Sequence, residues 1–368
     1  GVSCTVFEQS ASPTARPRDW NFGIYWAQSP LSECLPKSIT DKLPEAQIDD
    51  HIPSADDTLQ VRNGLTGELM KEVPTPFNLR LRRKKFIELI SEGIDIRYGK
   101  RLASFTTSPS TVTATFEDDT EHTADLLIGA EGAHSVVRDV LLGPEKAALH
   151  PSPIVASVTI ATLPEEMAVR LRRGLPRYST VMHPNGWFAW VGLHNAHSTS
   201  PNAWQFLFIQ SHPQDSPITL STSPSILQNM KLLANHFFPL YRDAVHAIPA
   251  DTPAWHNRLS YWETRPWDDE GGRVTLCGDA AHAMTFHRGQ GLNNAVLDAD
   301  SLVRGVREGV EKGLGKEALR EAVRRYQEEV WVRGAEAVRS QNVNSEMIHD
   351  WGRVMESSFW RRGVERRD

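Results

Sequence analysis

The sequence predicts an α/β fold in which a nucleotide-binding unit is interrupted by a mainly antiparallel β-sheet and followed by helices. Three observations predict it. Segments with strand-like and helix-like periodicity alternate near both ends of the chain. Strand-like segments without intervening helical periodicity occupy the middle. The C-terminal residues repeat apolar side chains at helical spacing.

The N-terminal part supplies the first alternating elements. Residues 2–8 are apolar and β-branched, which predicts a strand that ends on Glu8. Residues 80–100 change from helical spacing to alternation at Gly93, so a helix should end there and lead into a strand. Residues 125–129 predict a short buried strand that enters a glycine-containing loop.

The middle part carries the predicted sheet. Residues 154–160, 187–193 and 204–209 predict strands, and Asn185-Gly186 predicts a tight turn. Aromatic side chains in this region either line an apolar substrate cavity or simply fill a core. Aromatic residues in predicted strands more often belong to a core. They are Trp187, Trp190, Trp204, Phe206 and Phe208.

The C-terminal part returns to the first pattern. Residues 274–277 predict a buried strand, a helix should begin near Gly291, and a long amphipathic helix should begin at Lys316. The chain therefore divides by prediction into a discontinuous cofactor-binding domain, a substrate domain and C-terminal helices, with part of residues 20–80 open to either of the first two. The predicted ranges are 1–150 with 268–312, 151–267, and 313–368, respectively.

The composition favours a globular protein with a small-molecule partner. The 368 residues are 40% hydrophobic, enough for one large two-lobed unit or two domains. The net charge is −6 and no basic stripe is present, so nucleic acid is not an expected partner. Three cysteines without CxxC spacing argue against a disulfide framework or a zinc site, and favour a reducing, cytoplasmic location. Apolar runs too short for a bilayer predict no transmembrane segment.

The most specific motif lies between residues 276 and 299. It places Gly278-Asp279 at the end of a strand and Gly289-Gln290-Gly291-Leu292-Asn293 at the start of a helix. A carboxylate at a strand end accepts hydrogen bonds from polyol hydroxyls, and a helix N-terminus favours negative charge through its free amides and dipole. Together these features predict a site for a ribityl chain and an anionic, reduced flavin ring. The alternative is a turn and cap that only join a strand to a helix.

This motif resembles the GD motif of the flavoprotein hydroxylases related to para-hydroxybenzoate hydroxylase. In that family the aspartate contacts the flavin ribityl chain, and the glycine-rich turn lies against the isoalloxazine ring. The resemblance implies that FAD is the cofactor and that Gly278, Asp279 and residues 289–293 bind it. Phe286, followed by His287, stands where the family usually has a proline in the loop that lines the flavin.

A second segment, residues 125–138, resembles the DG motif of the same family. Glu131 stands in place of the usual aspartate and is one methylene longer. The resemblance implies that Glu131 helps to bind the ribose and diphosphate region of FAD and assists docking of the nicotinamide cofactor. The alternative is an ordinary loop between a strand and a helix.

Two further residues are candidates for the FAD site. Glu8 ends an apolar strand, where a dinucleotide-binding unit places the acid that binds the adenosine ribose. The resemblance implies that Arg83, which precedes Phe86 and Leu89, reaches the flavin diphosphate. The alternatives are a solvated glutamate and a solvated basic helix face.

A GxGxxG turn is absent from the sequence. A dinucleotide-binding unit needs this turn one strand before Glu8, because only glycine lets the backbone approach the pyrophosphate. Either the sequence is a piece of a longer chain, or it is a degenerate relative. A native chain that began at Gly1 would be expected to bind FAD weakly or not at all.

The resemblance implies an FAD-dependent monooxygenase. NAD(P)H would reduce FAD, O2 would form a flavin C4a-hydroperoxide, and one oxygen atom would hydroxylate or epoxidise a small apolar or aromatic organic substrate. The alternative is a truncated or degenerate relative with weak FAD binding that acts as a non-catalytic binding protein. GxSxG and HExxH motifs are absent, and His282 and His287 are interpreted as a structural pair rather than as metal ligands.

Overall fold

Strands and helices alternate in the computed structural model, which describes residues 2–16, 18–215, 225–313 and 315–365. The predicted α/β class is confirmed. In chain order the strands are β1 (Thr5–Glu8), β2 (Asn21–Ile24), β3 (Thr58–Asn63), β4 (Leu69–Pro74), β5 (Leu79–Arg82), β6 (Asp95–Tyr98), β7 (Leu102–Thr107), β8 (Val112–Phe116), β9 (Glu121–Ala124), β10 (Leu127–Gly129), β11 (His150–Thr162), β12 (Tyr178–His183), β13 (Trp187–Asn195), β14 (Gln205–Pro213), β15 (Ala254–Tyr261) and β16 (Val274–Leu276).

The helices surround these strands and close the C-terminal end. They are α1 (Gln28–Cys34), α2 (Lys37–Thr40), α3 (Arg83–Ile90), α4 (Val136–Leu142), α5 (Pro144–Ala147), α6 (Glu165–Gly174), α7 (Ile226–Ala234), α8 (Pro239–His246), α9 (Asp279–His282), α10 (Gly291–Glu311), α11 (Lys316–Ile348) and α12 (Ser358–Arg362). The described residues also include three short 3₁₀ helices, which span Leu43–Ala46, Pro201–Ala203 and Val354–Glu356. The expected helix starts at Gly291 and Lys316 are confirmed.

The largest sheet is mainly antiparallel, as predicted for the middle of the chain. Its strand order is β15-β11-β14-β13-β12-β3-β4. The pairing of β12 with β3 is parallel, so the earlier residues 58–74 extend the edge of this sheet. The strands predicted at 154–160, 187–193 and 204–209 all lie in it.

Side chains alternate between the two sides of this sheet. One side is covered by helices: the Phe208 ring lies 6.4 Å from Tyr241 of α8, and Gln210 Nε2 donates to the Met230 carbonyl of α7 at 3.1 Å. The opposite side, here called the loop-facing side, carries the alternate residues. They include Phe188, Trp190, Ile209 and Ser211, which the antiparallel register places side by side.

Two parallel strand pairs define the edge at which the candidate motifs lie. β1 pairs with β6, and β10 pairs with β16 with Gly129 opposite Leu276. The carboxyl ends of parallel strands lie at the same edge of a sheet, so the loops that follow β10 and β16 meet there.

The described ranges contain no helix that combines the length and the apolar composition needed to cross a bilayer.

Candidate functional site

Asp279 presents a carboxylate beside the start of a long helix. Gly278 has φ +59° and ψ −141°, which an L-residue rarely adopts, and this turn directs Asp279 away from β16. The Asp279 side chain is exposed, and no described group donates a hydrogen bond to its carboxylate. A Cβ placed on Gly291 would lie 3.8 Å from Asp279 Oδ1. The carboxylate and the first residue of α10 therefore border one open space.

The electrostatics of this space suit a polar ligand with an anionic part. Asp279 is open to solvent on one side but lies in a recess, and the resulting desolvation raises the pKa of its carboxyl group. The neighbouring His282 opposes that shift, and the negative charge of Asp298 adds to it. The first amides of the 21-residue helix α10 have no partner within the helix and carry the positive end of its dipole.

A buried ion network holds the Gly278–Asp279 turn from behind. Asp298 Oδ2 accepts hydrogen bonds from the Gly278 amide at 2.7 Å and from His282 Nε2 at 2.8 Å. Its Oδ1 accepts from Arg333 Nη2 at 2.7 Å, and Arg333 also pairs with Glu329 at 3.0 Å. Burial alone would raise the pKa of Asp298, but His282 and Arg333 bring it below its usual value. Asp298 is therefore an ionised support for the motif.

The loop of residues 283–290, between α9 and α10, is fixed by its own side chains. Gln290 Oε1 accepts from Trp26 Nε1 at 2.5 Å, and Gln290 Nε2 donates to the Val364 carbonyl at 3.0 Å. Phe286 packs against the core beneath the large sheet. These contacts restrain the loop at the position where the related hydroxylases have a proline.

Residues 289–293 leave mainly backbone for a ligand. Asn293 is buried: its Oδ1 accepts from the Tyr25 amide at 2.9 Å, and its Nδ2 donates to the Gly23 carbonyl at 2.9 Å. Leu292 packs on the apolar cluster around α1 and α3. The side chains of Gln290, Leu292 and Asn293 already contact other parts of the protein. Any hydrogen bond from these residues to a cofactor would therefore come from their backbone amides.

A buried histidine network links the 283–290 loop to the large sheet and to α11. His287 Nε2 lies 3.0 Å from Ser211 Oγ, which lies 2.9 Å from His349 Nε2. His287 Nδ1 lies 2.7 Å from Ser345 Oγ, and His349 Nδ1 lies 2.6 Å from the Ser345 carbonyl. Burial lowers the pKa of His349 to about 4 and lowers the pKa of His287 well below its usual value.

With both rings neutral, these contacts admit one assignment of protons. His349 Nδ1 must donate, because a carbonyl only accepts, so His349 Nε2 accepts from the Ser211 hydroxyl. Ser211 Oγ then accepts from His287 Nε2, and His287 Nδ1 accepts from Ser345 Oγ. With both histidines neutral, every ring nitrogen has a partner of the complementary kind.

Glu131 caps the helix that follows it. Its Oε1 accepts from the Val137 amide at 2.8 Å, and its Oε2 accepts from Ser135 Oγ at 3.0 Å. Its extra methylene, compared with aspartate, lets the carboxylate reach the N-terminus of its own helix α4. Part of its hydrogen-bonding capacity is thus used by the protein, and its predicted roles toward FAD and the nicotinamide cofactor stay predictions.

Arg138 joins the two motifs. It is buried on α4, and its Nη1 donates to the Ala280 carbonyl at 3.0 Å while its Nε donates to the Ala147 carbonyl at 3.1 Å. Its guanidinium also lies 4.8 Å from the Trp262 ring centre. The segment that carries Glu131 and the segment that carries Asp279 are consequently held together by one side chain.

Glu8 and Arg83 lie close enough to influence each other. Burial lowers the pKa of Arg83, as does the charge of Arg16, whereas the charges of Asp19 and Glu8 raise it. Glu8 Oε1 accepts from the Ser10 amide at 2.7 Å, and the Arg83 guanidinium lies 4.5 Å from the Trp20 ring centre.

The segment of residues 20–25, which contains β2, joins this pair to the GD motif. The Arg83 amide donates to the Trp20 carbonyl at one end, and Asn293 binds Gly23 and Tyr25 at the other. An extended stretch of this length spans roughly 16 Å at about 3.3 Å per residue.

The loop-facing side of the large sheet offers an apolar surface opposite this motif. A row of neighbouring residues crosses four strands, and their side chains share that side. Trp190 is buried, but the other members are only half-buried. They are Trp255, Val158 and Ile209. Of the five aromatic residues considered from the sequence, only Trp190 lies on this side; Trp187, Phe206 and Phe208 lie on the helix-covered side, and Trp204 precedes β14.

Comparison with known proteins decides the family. A family model described as the FAD binding domain matches residues 87–340. The FAD-dependent monooxygenase cctM of Talaromyces islandicus is 48% identical over 367 residues, covering 100% of this chain and 92% of the relative. The chain belongs to the FAD-dependent monooxygenases. The FAD-dependent monooxygenase phnB of Penicillium herquei is 31% identical, and the match covers 99% of this chain and 89% of phnB.

The fold of this monooxygenase also matches solved structures. The crystal structure of CtdE in complex with FAD and a substrate has a TM-score of 0.75 and 18% identity, covering 95% of this chain and 85% of that chain. The fold expected from the resemblance is thereby confirmed. The match to the FAD-dependent monooxygenases makes the protein an oxidoreductase.

The structure gathers most of the predicted site residues of the monooxygenase into one region. Glu131 and the Asp279 motif meet where β10 and β16 end, and Glu8 and Arg83 form a second group connected through β2. Their roles toward FAD stay predictions. The sequence interpretation assigned no role to Arg138, Asp298 or Tyr25. Arg138 and Asp298 lie at the ends of the two motifs. Each directly follows an apolar residue, Val137 or Leu297, and that was the signal that could have revealed them.

His282 and His287 do not form the structural pair that the sequence interpretation expected. His282 bonds to Asp298, whereas His287 bonds to Ser211 and Ser345 in a separate network. Among the described residues, no three or more His, Cys, Asp or Glu side chains are grouped so as to hold a metal ion.

Proposed function

We propose that this monooxygenase uses NAD(P)H and O2 to oxygenate a small apolar or aromatic organic molecule. The observation that carries the proposal is the free carboxylate of Asp279 beside Gly291 at the start of α10. A side chain at Gly291 would narrow that space, so the residues present fit a ribityl chain and a flavin ring. The chemistry supplied by bound FAD is electron uptake from NAD(P)H and activation of O2.

The chain's own residues have three tasks in this proposal. Asp279 accepts hydrogen bonds from ribityl hydroxyls, and the first amides of α10 favour negative charge on the reduced ring. The loop-facing side, with Trp190, Ile209 and Val158, covers the substrate and excludes water. The histidine network fixes the distance between that side and the 283–290 loop.

The first experiment measures cofactor and turnover directly. We expect purified protein to show the absorbance of bound flavin, and to oxidise NADPH or NADH with matching consumption of O2 when an aromatic substrate is added. Residues 1–368 should be compared with the same chain extended by whatever sequence precedes Gly1 in its gene. A colourless extended protein that does not bind added FAD would contradict the proposal.

The role of Asp279 has its own test. Replacing Asp279 by alanine removes a charged acceptor worth about 1.5–3 kcal/mol, so the Kd for FAD should rise roughly 10- to 100-fold. The fold should be retained, because Asp279 is exposed and no described side chain donates to it. Fluorescence titration with FAD gives the Kd, and Asp251→Ala, at an exposed position before β15, is the matched control. Equal FAD affinity in both variants would refute the assignment.

A further inference from the structure

Arg80 on β5 is a buried cation whose hydrogen bonds all go to neutral acceptors. Its Nε donates to Asn21 Oδ1 at 2.7 Å, and its Nη2 lies 3.4 Å from the Asn21 carbonyl. Its Nη1 lies 3.3 Å from the Tyr25 hydroxyl. No carboxylate in the described ranges is within ion-pair distance of Arg80, and its one charged neighbour of note, Arg177, is also a cation. Buried charges are ordinarily paired.

Two other arginines of this chain, the buried Arg138 and the largely buried Arg333, show what a satisfied guanidinium looks like here. Arg138 donates to the carbonyls of Ala147 and Ala280 at 3.1 and 3.0 Å. Arg333 is paired with two carboxylates. Arg80 has one short hydrogen bond and two long ones. The terminal N–H groups of its guanidinium can therefore still bind an anionic acceptor.

The position of Arg80 relates it to the proposed substrate space. Its guanidinium lies 4.6 Å from the ring centre of Trp190 and 5.3 Å from that of Tyr178, both on the loop-facing side. Tyr25, which contacts Arg80 through its hydroxyl, is only half-buried. A Cβ placed on Gly289 would lie 3.1 Å from Tyr25 Cε2, so Tyr25 stands between Arg80 and the glycine-rich turn.

We propose that Arg80, together with the Tyr25 hydroxyl, forms an anion-recognition site that selects aromatic substrates bearing an anionic oxygen. This inference rests on the proposed function, because it assumes that the substrate lies between Trp190 and the turn. A ring stacked beside Trp190 would direct a carboxylate or an acidic phenolate toward the guanidinium fork. The shared chemistry is a negatively charged oxygen attached to an aromatic system, which the fork binds through charge-assisted hydrogen bonds.

The test compares charged and uncharged ligands of the same shape. Calorimetric titration of the full chain with naphthoate and with its uncharged amide tests recognition of a carboxylate. Titration with a nitronaphthol and with its methyl ether tests recognition of a phenolate. We expect the anionic member of at least one pair to bind about tenfold or more tightly at neutral pH. A carboxylate preference alone or a phenolate preference alone identifies the source of the anion, and either supports the site.

Variants assign the preference to Arg80. Arg80→Gln should abolish it, Tyr25→Phe should reduce it severalfold, and Arg80→Lys should retain part of it, since the charge remains without the fork. Arg62→Gln is the matched control, because Arg62, on β3 of the large sheet, also bonds to neutral acceptors, Gln60 Oε1 and the Gly67 carbonyl. If Arg80→Gln does not fold, the Lys and Phe variants decide.

Two outcomes would overturn the inference. One is a wild-type protein with no preference for either anion, and the other is a preference that survives in Arg80→Gln. The flavin content and NAD(P)H oxidation of the same preparation are scored separately. A flavin-loaded, NAD(P)H-oxidising protein without anion preference removes this inference alone, whereas a protein that binds no flavin contradicts the proposed function first.

Discussion

Replacing Asp298 by alanine is expected to lower the free energy of unfolding by about 3–5 kcal/mol. The buried carboxylate accepts from the Gly278 amide, from His282 and from Arg333. Alanine would leave these donors without their acceptor in a region that water does not reach. Arg333 keeps its contact with Glu329, so the loss of stability should be smaller than if Arg333 were left with no partner.

Chemical denaturation followed by tryptophan fluorescence measures this loss. Asp300→Ala is the matched control: Asp300 is a buried carboxylate on the same helix, but its partner Arg304 is largely exposed, so its removal leaves no buried cation unpaired and should cost less. Equal losses in the two variants would show that Asp298 is not the support described here. We also expect weaker flavin retention in Asp298→Ala, since the Gly278 turn loses its anchor.

Acidification from about pH 6.5 to about pH 4 is expected to remove about 3 kcal/mol of unfolding free energy through His349. Burial lowers the pKa of His349 to about 4 in the folded protein, while the unfolded chain takes up the proton near pH 6.5. Between these values the unfolded state binds more protons, so stability falls as the pH falls. Above about pH 6.5 both states are neutral at this group, and the full contribution is present.

The His349→Gln variant separates this effect from general acid unfolding. Glutamine does not titrate, so the variant should be less stable at neutral pH but should lose less stability on acidification. His246→Gln changes an exposed histidine on α8 and should follow the wild-type pH dependence. Burial also lowers the pKa values of His287, His212 and His183. The stability of the variant should therefore still fall with pH, but less steeply than that of the wild type. An unchanged slope in His349→Gln would exclude His349 as a source.

Much of the backbone was predictable because its periodicity is local. The helix over Arg83–Ile90, the turn at Gly93 and the strand β6 follow from spacing and one glycine, and Gly291 begins α10 where the two glycines predicted a helix start. β8 carries the same kind of local signal, since its burial alternates residue by residue.

Other elements carry no such signal. Every residue of β12 is buried, so no alternation marks this strand, and α6 to α8 are short helices whose apolar faces only become apparent against the large sheet. The strand pair β2–β5 joins residues far apart in the chain. Sequence periodicity does not report such distant pairings.

The site was predictable in its motif and not in its supports. Asp279 and Gly291 were found because a strand end and a helix start lie close together in sequence. The acceptors of Arg80 lie 55 and 59 residues away, and the arginine that pairs with Asp298 lies 35 residues away. Local spacing cannot distinguish such buried charges from charges on a solvated surface.

The segment of residues 20–25 has a consequence for how a two-part cofactor is bound. One end contacts the group formed by Glu8 and Arg83, and the other end is clamped by Asn293 at the glycine-rich turn. Extended backbone changes length very little, so the segment keeps the distance between the two ends nearly constant. On the proposed assignment of Glu8 and Arg83 to the adenosine half of FAD, occupancy of that half should order the segment and with it the pocket for the ring half.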